Sequence, residues 1–367
     1  MIRSASPDAR PGHLVAVYDK HGERFGTGFY NPRSQISLRM VSFDAEPVAP
    51  SFFTDLLVRA VSLRRDLLAL DGTSNAYRLV HAEGDGISGL VVDRFADILS
   101  VETFALGPHQ RIAEFLPILH EAAGTHRAVV RMDARAAERE GCPALPEILP
   151  EGLRAVRIEE HGVRFAVSFI EGQKTGFFCD QRDNRKRFAE FSKDRSVLDV
   201  CCYTGGFSVV AVKRGGAREA TGVDLDEKAI DQARHNANLN QVRVNWTHAD
   251  AFTYLRQMVR NGRKWDAIVV DPPKFIPTRE DVEEGQKKYY DLNRLALQVA
   301  SPGGLFVTCS CSGLLAPEEF EKLVFRAARA VDRRLQVLDV TGAGPDHPVA
   351  SNCPESRYLK VLWTRVL

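Results

Sequence analysis

The chain has 367 residues, 44% apolar and 26% charged, the balance of a globular protein large enough for two or three domains. A net charge of +1 argues against a large non-specific phosphate footprint but leaves room for a local basic patch. Seven cysteines with no Cys-x-x-Cys pair disfavour both a disulfide framework and a zinc site, so no metal is expected; a polar N-terminus and the lack of an 18-residue apolar run predict no signal peptide, no membrane span and a cytoplasmic location.

In chain order, His13 to Tyr18, Gly26 to Tyr30 and Ile36 to Met40 read as short strands, separated by turns at Asp19–Gly22 and Asn31-Pro32. A piece of this size holds little core alone. A helix is predicted from about Ser51, because Phe52, Leu56, Leu57, Val61, Leu67 and Leu68 recur at helical spacing. Tyr77 to Ala82, Leu90 to Asp93 and Ile98 to Phe104 then alternate as strands, giving an α+β region over about 50–165. Pro143, Pro146 and Pro150 interrupt the chain before a strand at Leu153 to Ile158. From about 166 the pattern changes. Val197–Val200, Ala220–Val223, Val242–Trp246, Trp265–Val270 and Leu305–Thr308 are five apolar runs, each followed by a turn or a helical stretch, and Arg357 to Leu367 suits one more strand. Such alternation predicts a parallel, doubly wound sheet.

The ends of these runs carry acids. Asp199 stands in the first run, before the turn Tyr203-Thr204-Gly205-Gly206, where glycine permits positive φ and close approach of a ligand. The turn lacks the G-x-G-x-x-G spacing of a pyrophosphate site. An acid beside it suits a cationic ligand that bears an amino acid. Asp224 ends the second run about 20 residues on, the position from which a carboxylate accepts ribose hydroxyls. Asp250 follows the third run, where it can accept from an adenine amino group with Phe252 beside the ring. Each acid alone could be a helix cap. Together, in this order, they point to S-adenosylmethionine.

Tyr203-Thr-Gly-Gly-Phe207 and Asp271-Pro-Pro-Lys-Phe275 resemble motifs of the bacterial 23S rRNA cytosine-5 methyltransferases with an N-terminal PUA domain. So do Lys174-Thr-Gly-Phe-Phe-Cys-Asp-Gln-Arg-Asp-Asn-Arg185, Ala82 to Leu90 with Asp93-Arg94, Ser310-Cys-Ser-Gly313 and Asp346-His-Pro348. The resemblance implies a Rossmann-like, seven-stranded class I methyltransferase domain at 166–367. It is preceded by a PUA-like domain at 1–48, in which the family's first strand has no counterpart, and an α+β middle domain at 49–165. It further implies S-adenosylmethionine as cofactor with S-adenosylhomocysteine as product, 23S rRNA or a large-subunit precursor as partner, and a homodimer. Phe178, Gln181, Asp199, Tyr203, Thr204, Gly205, Asp224, Leu225, Asp250, Ala251, Asp271 and Pro272 are then the expected cofactor contacts.

C5 of cytosine is a poor nucleophile until a thiolate adds to C6, which makes Cys311, just past the fifth run, the expected catalytic nucleophile. Cys309 is read as pointing to the opposite face of the strand and packing there. Asp271, at the end of the fourth run, could accept from the cytosine amino group or share a proton at N3. Lys174, Arg182, Arg185, Lys274 and His347 are candidates for contact with RNA, the arginines as part of a basic cluster with Lys186 and Arg187. Two other readings compete. A guanine-N2 methyltransferase shares the glycine turn and the Asp-Pro-Pro loop but needs no thiolate, and a non-catalytic RNA-binding assembly factor would have no use for the acids.

Overall fold

The computed structural model describes residues 2–143, 147–170 and 176–367. They form two compact units: Met1–Ile158 with Val167–Cys179 and Pro345–Pro354, and Glu159–Ala166 with Asp180–Gly344 and Glu355–Leu367.

In the first unit, β1 (Leu14–Tyr18), β2 (Arg24–Tyr30) and β3 (Leu38–Ser42) make an antiparallel meander. The meander has too few residues for its own core, and it borrows one. Phe29 of β2 stacks on Phe53 of α1 (Phe52–Ser62) at 5.7 Å and joins the unit's main apolar cluster. Polar ties complete the junction. The buried Glu140 carboxylate accepts from Asn31 Nδ2 at 3.0 Å, Ser34 Oγ at 2.6 Å and Arg39 Nη2 at 3.2 Å. A four-stranded sheet follows in the order β4 (Ala76–His81), β5 (Leu90–Phe95), β6 (Ile98–Thr103) and β7 (Arg127–Arg131). The first three strands run antiparallel. The last is parallel to β6, reached by the crossover helices α2 (Leu106–Gln110) and α3 (Ile112–Ala123). Helix α4 (Ala134–Arg139) is capped by Asp133, which accepts from the Ala136 amide at 2.6 Å. A hairpin of β8 (Ala155–Glu160) and β9 (Val163–Ser168) comes next, and its turn half, Glu159–Ala166, belongs to the second unit.

The second unit alternates helix and strand: α5 (Arg182–Glu190), β10 (Ser196–Val200), α6 (Gly206–Lys213), β11 (Glu219–Asp224), α7 (Glu227–Leu239), β12 (Asn245–His248) and α8 (Ala251–Arg260). It continues with β13 (Trp265–Val270), α9 (Val282–Gln298), β14 (Ala300–Ser310), α10 (Pro317–Arg329), β15 (Leu335–Thr341) and β16 (Lys360–Val366). The strands form one seven-stranded sheet, β12-β11-β10-β13-β14-β16-β15; β10 to β14 are parallel, and β16 is antiparallel to both its neighbours. Successive residues serve opposite layers, as pleating requires. Leu198, Ile268, Phe306 and Leu362 pack with α8, α9 and α10. Val197, Ala267, Val307 and Trp363 pack with Phe188 of α5 and Phe207 of α6. Because the chain returns from β12 to β13 on the far side of β10, the carboxyl ends of β10 and β13 are the switch point, where ligands of open sheets bind. The third strand starts at Asn245, later than the predicted Val242, and β15 has no counterpart among the predicted runs. Among the described residues no helix is long and apolar enough to cross a membrane.

Candidate cofactor and catalytic site

Asp199 lies on β10 with no exposed surface. Its Oδ2 accepts from the Ser208 amide at 3.0 Å and the Ser208 hydroxyl at 2.8 Å, both from the first turns of α6. Its Oδ1 is buried and accepts nothing among the described residues. Burial raises this acid to about 7 against the pull of the Ser208 bonds, and the charges of Asp271 and Asp224 add to the rise. An enclosed carboxylate with one vacant oxygen fits a cationic donor, the demand that an amino-acid-bearing sulfonium nucleoside would meet.

The turn between β10 and α6 is tightly wound. Cys201, Tyr203 and Gly205 all have positive φ, 62°, 47° and 80°. Gly205 was expected to make room for a ligand, but the space a Cβ would take there is filled by the Trp246 indole and Ala233. The glycine is required by its left-handed backbone and by packing, so close ligand approach is not its reason. The winding presents the Tyr203 amide to Asp224 Oδ2 at 2.8 Å, while Asp224 Oδ1 accepts from the Asp226 amide at 2.9 Å. The Thr204 carbonyl accepts from Asn236 Nδ2 at 3.0 Å. Asp250 caps α8, its Oδ1 accepting from the Thr253 amide at 2.9 Å and the Thr253 hydroxyl at 2.8 Å. One oxygen of Asp250 thus serves the helix. Leu225 is exposed beside Asp224, and Ala251 and Pro272 are buried.

Asp271 follows β13, and its amide donates to the Val200 carbonyl at 3.1 Å, which fixes it beside the β10 strand end. Its Oδ2 accepts from Gln181 Nε2 at 3.0 Å. Burial first, then the charge of Asp180, raise it to about 7; the Gln181 and Cys309 contacts and the Arg185 charge oppose them. In β14 the residue paired with Val270 is Thr308, so Asp271 and Cys311 stand at the same sheet edge, on adjacent strands. Cys311 is half-buried. Cys309 requires a correction. It sits two residues from Cys311, not one, and the pleat therefore directs both to the same layer, where both pack with the Phe188 cluster. Cys309 accepts from Gln181 Nε2 at 3.5 Å, and burial, reinforced by Asp271, pushes its thiol well above the ordinary range. A thiol held protonated this way is inert.

Lys360 was not singled out in the sequence. It pairs with Ser310 across β14 and β16, is 4% exposed, and donates to the Ser312 carbonyl at 2.6 Å and the Tyr358 carbonyl at 2.8 Å. Burial pushes its ammonium down to about 8, while Cys311 acts in the opposite sense. The signal was present: a lysine inside the apolar strand Tyr358-Leu-Lys-Val-Leu-Trp363 must have a buried reason.

The proposed RNA contacts fare differently. Arg182 and Arg185 are 0% and 3% exposed, which removes them from a solvent-facing basic patch. Arg185 makes a bidentate pair with Glu160 at 2.8 and 2.6 Å, and its stem fills the space beside Gly206. Arg187 pairs with Asp339 and lies over the Trp363 ring at 4.8 Å. Arg182 and Arg185 of the helical charge run thus face inward, while Lys186 and Arg187 stay half-exposed. His347 belongs to the first unit, buried edge-on to His81 at 5.0 Å, which argues against direct contact with a substrate. Phe178 also belongs to the first unit and is half-buried. Lys274 is exposed on the Asp-Pro-Pro loop, and Lys174 lies outside the described residues. Among the described residues no cluster of three His, Cys, Asp or Glu is placed to hold a metal.

A doubly wound seven-stranded sheet with a vacant buried carboxylate oxygen at its switch point, flanked by strand-terminal acids, defines a class I methyltransferase. A family model for S-adenosylmethionine-dependent methyltransferases matches residues 110–351, and one for a PUA-like domain matches residues 1–43. The ribosomal RNA large subunit methyltransferase I of Shewanella frigidimarina is 37% identical over 374 residues, covering 100% of this chain and 92% of that protein. Its namesake from Aliivibrio fischeri is 36% identical over 98% of this chain and 92% of that protein. The chain belongs to this family of S-adenosylmethionine-dependent methyltransferases with an N-terminal PUA-like domain. The same fold is seen in SMU.776, solved with SAH (TM-score 0.83, 23% identity, 97% of this chain and 92% of that one). It is seen more distantly in Trm5b of Pyrococcus abyssi (TM-score 0.55, 17% identity, 75% and 74%).

Proposed function

We propose that this protein methylates C5 of a cytosine in large-subunit rRNA through a covalent adduct at Cys311. The observation that carries the reading is the shared sheet edge of Asp271 and Cys311, fixed by the Val270–Thr308 pairing, next to the vacant oxygen of Asp199. Asp199 is suited to hold the amino-acid end of the cofactor, Asp224 the ribose, and Asp250, with Phe252, the adenine. When bound, S-adenosylmethionine supplies an electrophilic methyl group. The Cys311 thiolate forms a bond to C6 of the base, and the C5–C6 electron pair becomes available at C5. After C5 has gained the methyl group, Asp271 or a water takes the C5 proton, and the C–H electron pair restores the C5–C6 double bond and expels the thiolate. Asp271, poised near neutrality, accepts from the exocyclic amino group or shares a proton at N3. A base within structured RNA would have to leave its stack to reach this edge.

The relatives' name supports large-subunit rRNA as the substrate; a homodimer in the cytoplasm is part of the same proposal. Guanine-N2 transfer gives Cys311 no task. Mass-spectrometric mapping of rRNA from cells with and without the gene tests the proposal. One 5-methylcytidine of the large-subunit rRNA should be missing in the deletion strain and return with the gene; an unchanged map, or the loss of a methylguanosine instead, would exclude it.

A further inference from the structure

Four side chains form a directed hydrogen-bond chain that ends on Asp271. The Trp363 indole N–H donates to Thr341 Oγ1 at 2.8 Å. The Thr341 hydroxyl donates to Asn184 Oδ1 at 2.8 Å. Asn184 Nδ2 donates to Gln181 Oε1 at 2.7 Å and to the Gly342 carbonyl at 3.0 Å. Gln181 Nε2 donates to Asp271 Oδ2 at 3.0 Å and to Cys309 Sγ at 3.5 Å. Chemistry leaves one orientation for each amide. The indole can only donate, so the Thr341 proton is free for Asn184. The Gly342 carbonyl can only accept, so the Asn184 atom against it is Nδ2. That nitrogen also faces Gln181, which must answer with Oε1 and turn its nitrogen toward Asp271. Asn184 and Gln181 are 3% exposed, so water offers no substitute partners.

We propose that Gln181 is a positioning residue for Asp271, with its amide locked by Asn184, Thr341 and Trp363 so that an N–H always meets one carboxylate oxygen and leaves the other for the substrate base. The inference rests on Asp271 serving that base. Gln181 was expected to contact the cofactor; here its amide is committed to the aspartate. The lock works against the effect of burial on the acid. Burial and Asp180 favour the protonated form, and the charge of Asp199 opposes that of Asp271. Only the Gln181 and Cys309 contacts and Arg185 favour the carboxylate. Without the fixed donor, Asp271 would bind a proton at a higher pH and its carboxyl would turn freely.

The test is the pH dependence of kcat/KM for methyl transfer to rRNA, compared among wild type, Gln181→Leu, Thr341→Val, Thr341→Ser and Asp271→Asn. Gln181→Leu should move the acid limb up by about one pH unit, a tenfold loss at pH 6.5 that largely recovers by pH 8.5. Thr341→Val, remote from the reacting atoms, should shift it the same way by less, with unchanged S-adenosylmethionine affinity, and Thr341→Ser should restore the wild-type limb. Equal losses at every pH in Gln181→Leu, or an unmoved limb, would overturn the inference. Asp271→Asn separates the two levels. The Cys311 thiolate leaves an acid limb of its own in every variant, so the readout is the step near pH 7: if that step survives in Asp271→Asn, the assignment of Asp271 is wrong; if it vanishes there but stays put in Gln181→Leu, only the lock is wrong. Should Gln181→Leu fail to fold, the Thr341 pair decides alone, since a shift in the valine variant that serine does not reverse, or no shift at all, contradicts the chain.

Discussion

Asp199 shows at the scale of one residue how a binding site is maintained against the preference of the fold. Unfolded, its carboxyl titrates near the ordinary value of about 3.9; folded, burial raises it to about 7. The folded state therefore holds a proton across that window while the unfolded chain has lost it, so this residue makes stability fall as pH rises from about 4 to about 7. Asp199→Asn removes the titration. In urea denaturation of the ligand-free protein, the variant should gain on wild type by about 2–3 kcal/mol between pH 5 and pH 8, and isothermal calorimetry should show weaker S-adenosylmethionine binding. Parallel stability curves would show that the acid is not strained by its burial. The strand-end placement of Asp199, Asp224 and Asp250 was legible, because each stands in or just after an apolar run short enough to be a strand. The Ser208 and Thr253 bonds that use one oxygen of Asp199 and Asp250 were not, since either acid could equally have been spent wholly as a cap. The lock on Asp271 was invisible for a plainer reason: Gln181, Asn184, Thr341 and Trp363 come together only through the sheet.

Helix α5 makes the same point at the scale of an element. Read linearly, Arg182-Asp-Asn-Arg-Lys-Arg187 is a basic run of the kind that usually faces solvent or phosphate. Folded, it buries Arg182, Asn184 and Arg185 together with Phe188 and Ala189. Charge count alone cannot tell these outcomes apart; the missing fact was the partner, Glu160, on β8. Arg185→Ala leaves that carboxylate buried and unpaired, and should cost about 3–5 kcal/mol in urea denaturation, with Lys a poor substitute because it cannot make the bidentate pair. A fully stable Arg185→Ala protein that had lost RNA affinity would return this arginine to the RNA-binding surface. Strand β15 escaped the sequence because Gln336 to Val340 are all exposed, so Leu335-Gln-Val-Leu-Asp-Val-Thr341 shows no alternation. The Cys309 assignment failed on parity alone: two residues along a strand is the same face.

Across the whole molecule, a net charge of +1 fits a protein in which many cations are spent internally, on Glu160, Glu140, Asp85 and Asp93 among the buried acids. Recognition of RNA then depends on local contacts and on shape more than on a general phosphate footprint, and Lys274, exposed on the Asp-Pro-Pro loop, remains a candidate for such a contact. The small N-terminal meander, which packs Phe29 into the main cluster of its unit, is part of that unit's core as well as a candidate RNA contact. The central claim is a covalent bond between Cys311 and a cytosine. It is tested most directly by incubating the enzyme and S-adenosylmethionine with large-subunit rRNA carrying 5-fluorocytidine at the target position, where the fluorine cannot leave as a proton does, and mapping the product by peptide mass spectrometry. A methylated nucleotide should be attached to the peptide that contains Cys311 and be absent in Cys311→Ser. Turnover of unfluorinated rRNA by Cys311→Ser at the wild-type rate, or an adduct on any other residue, would contradict it.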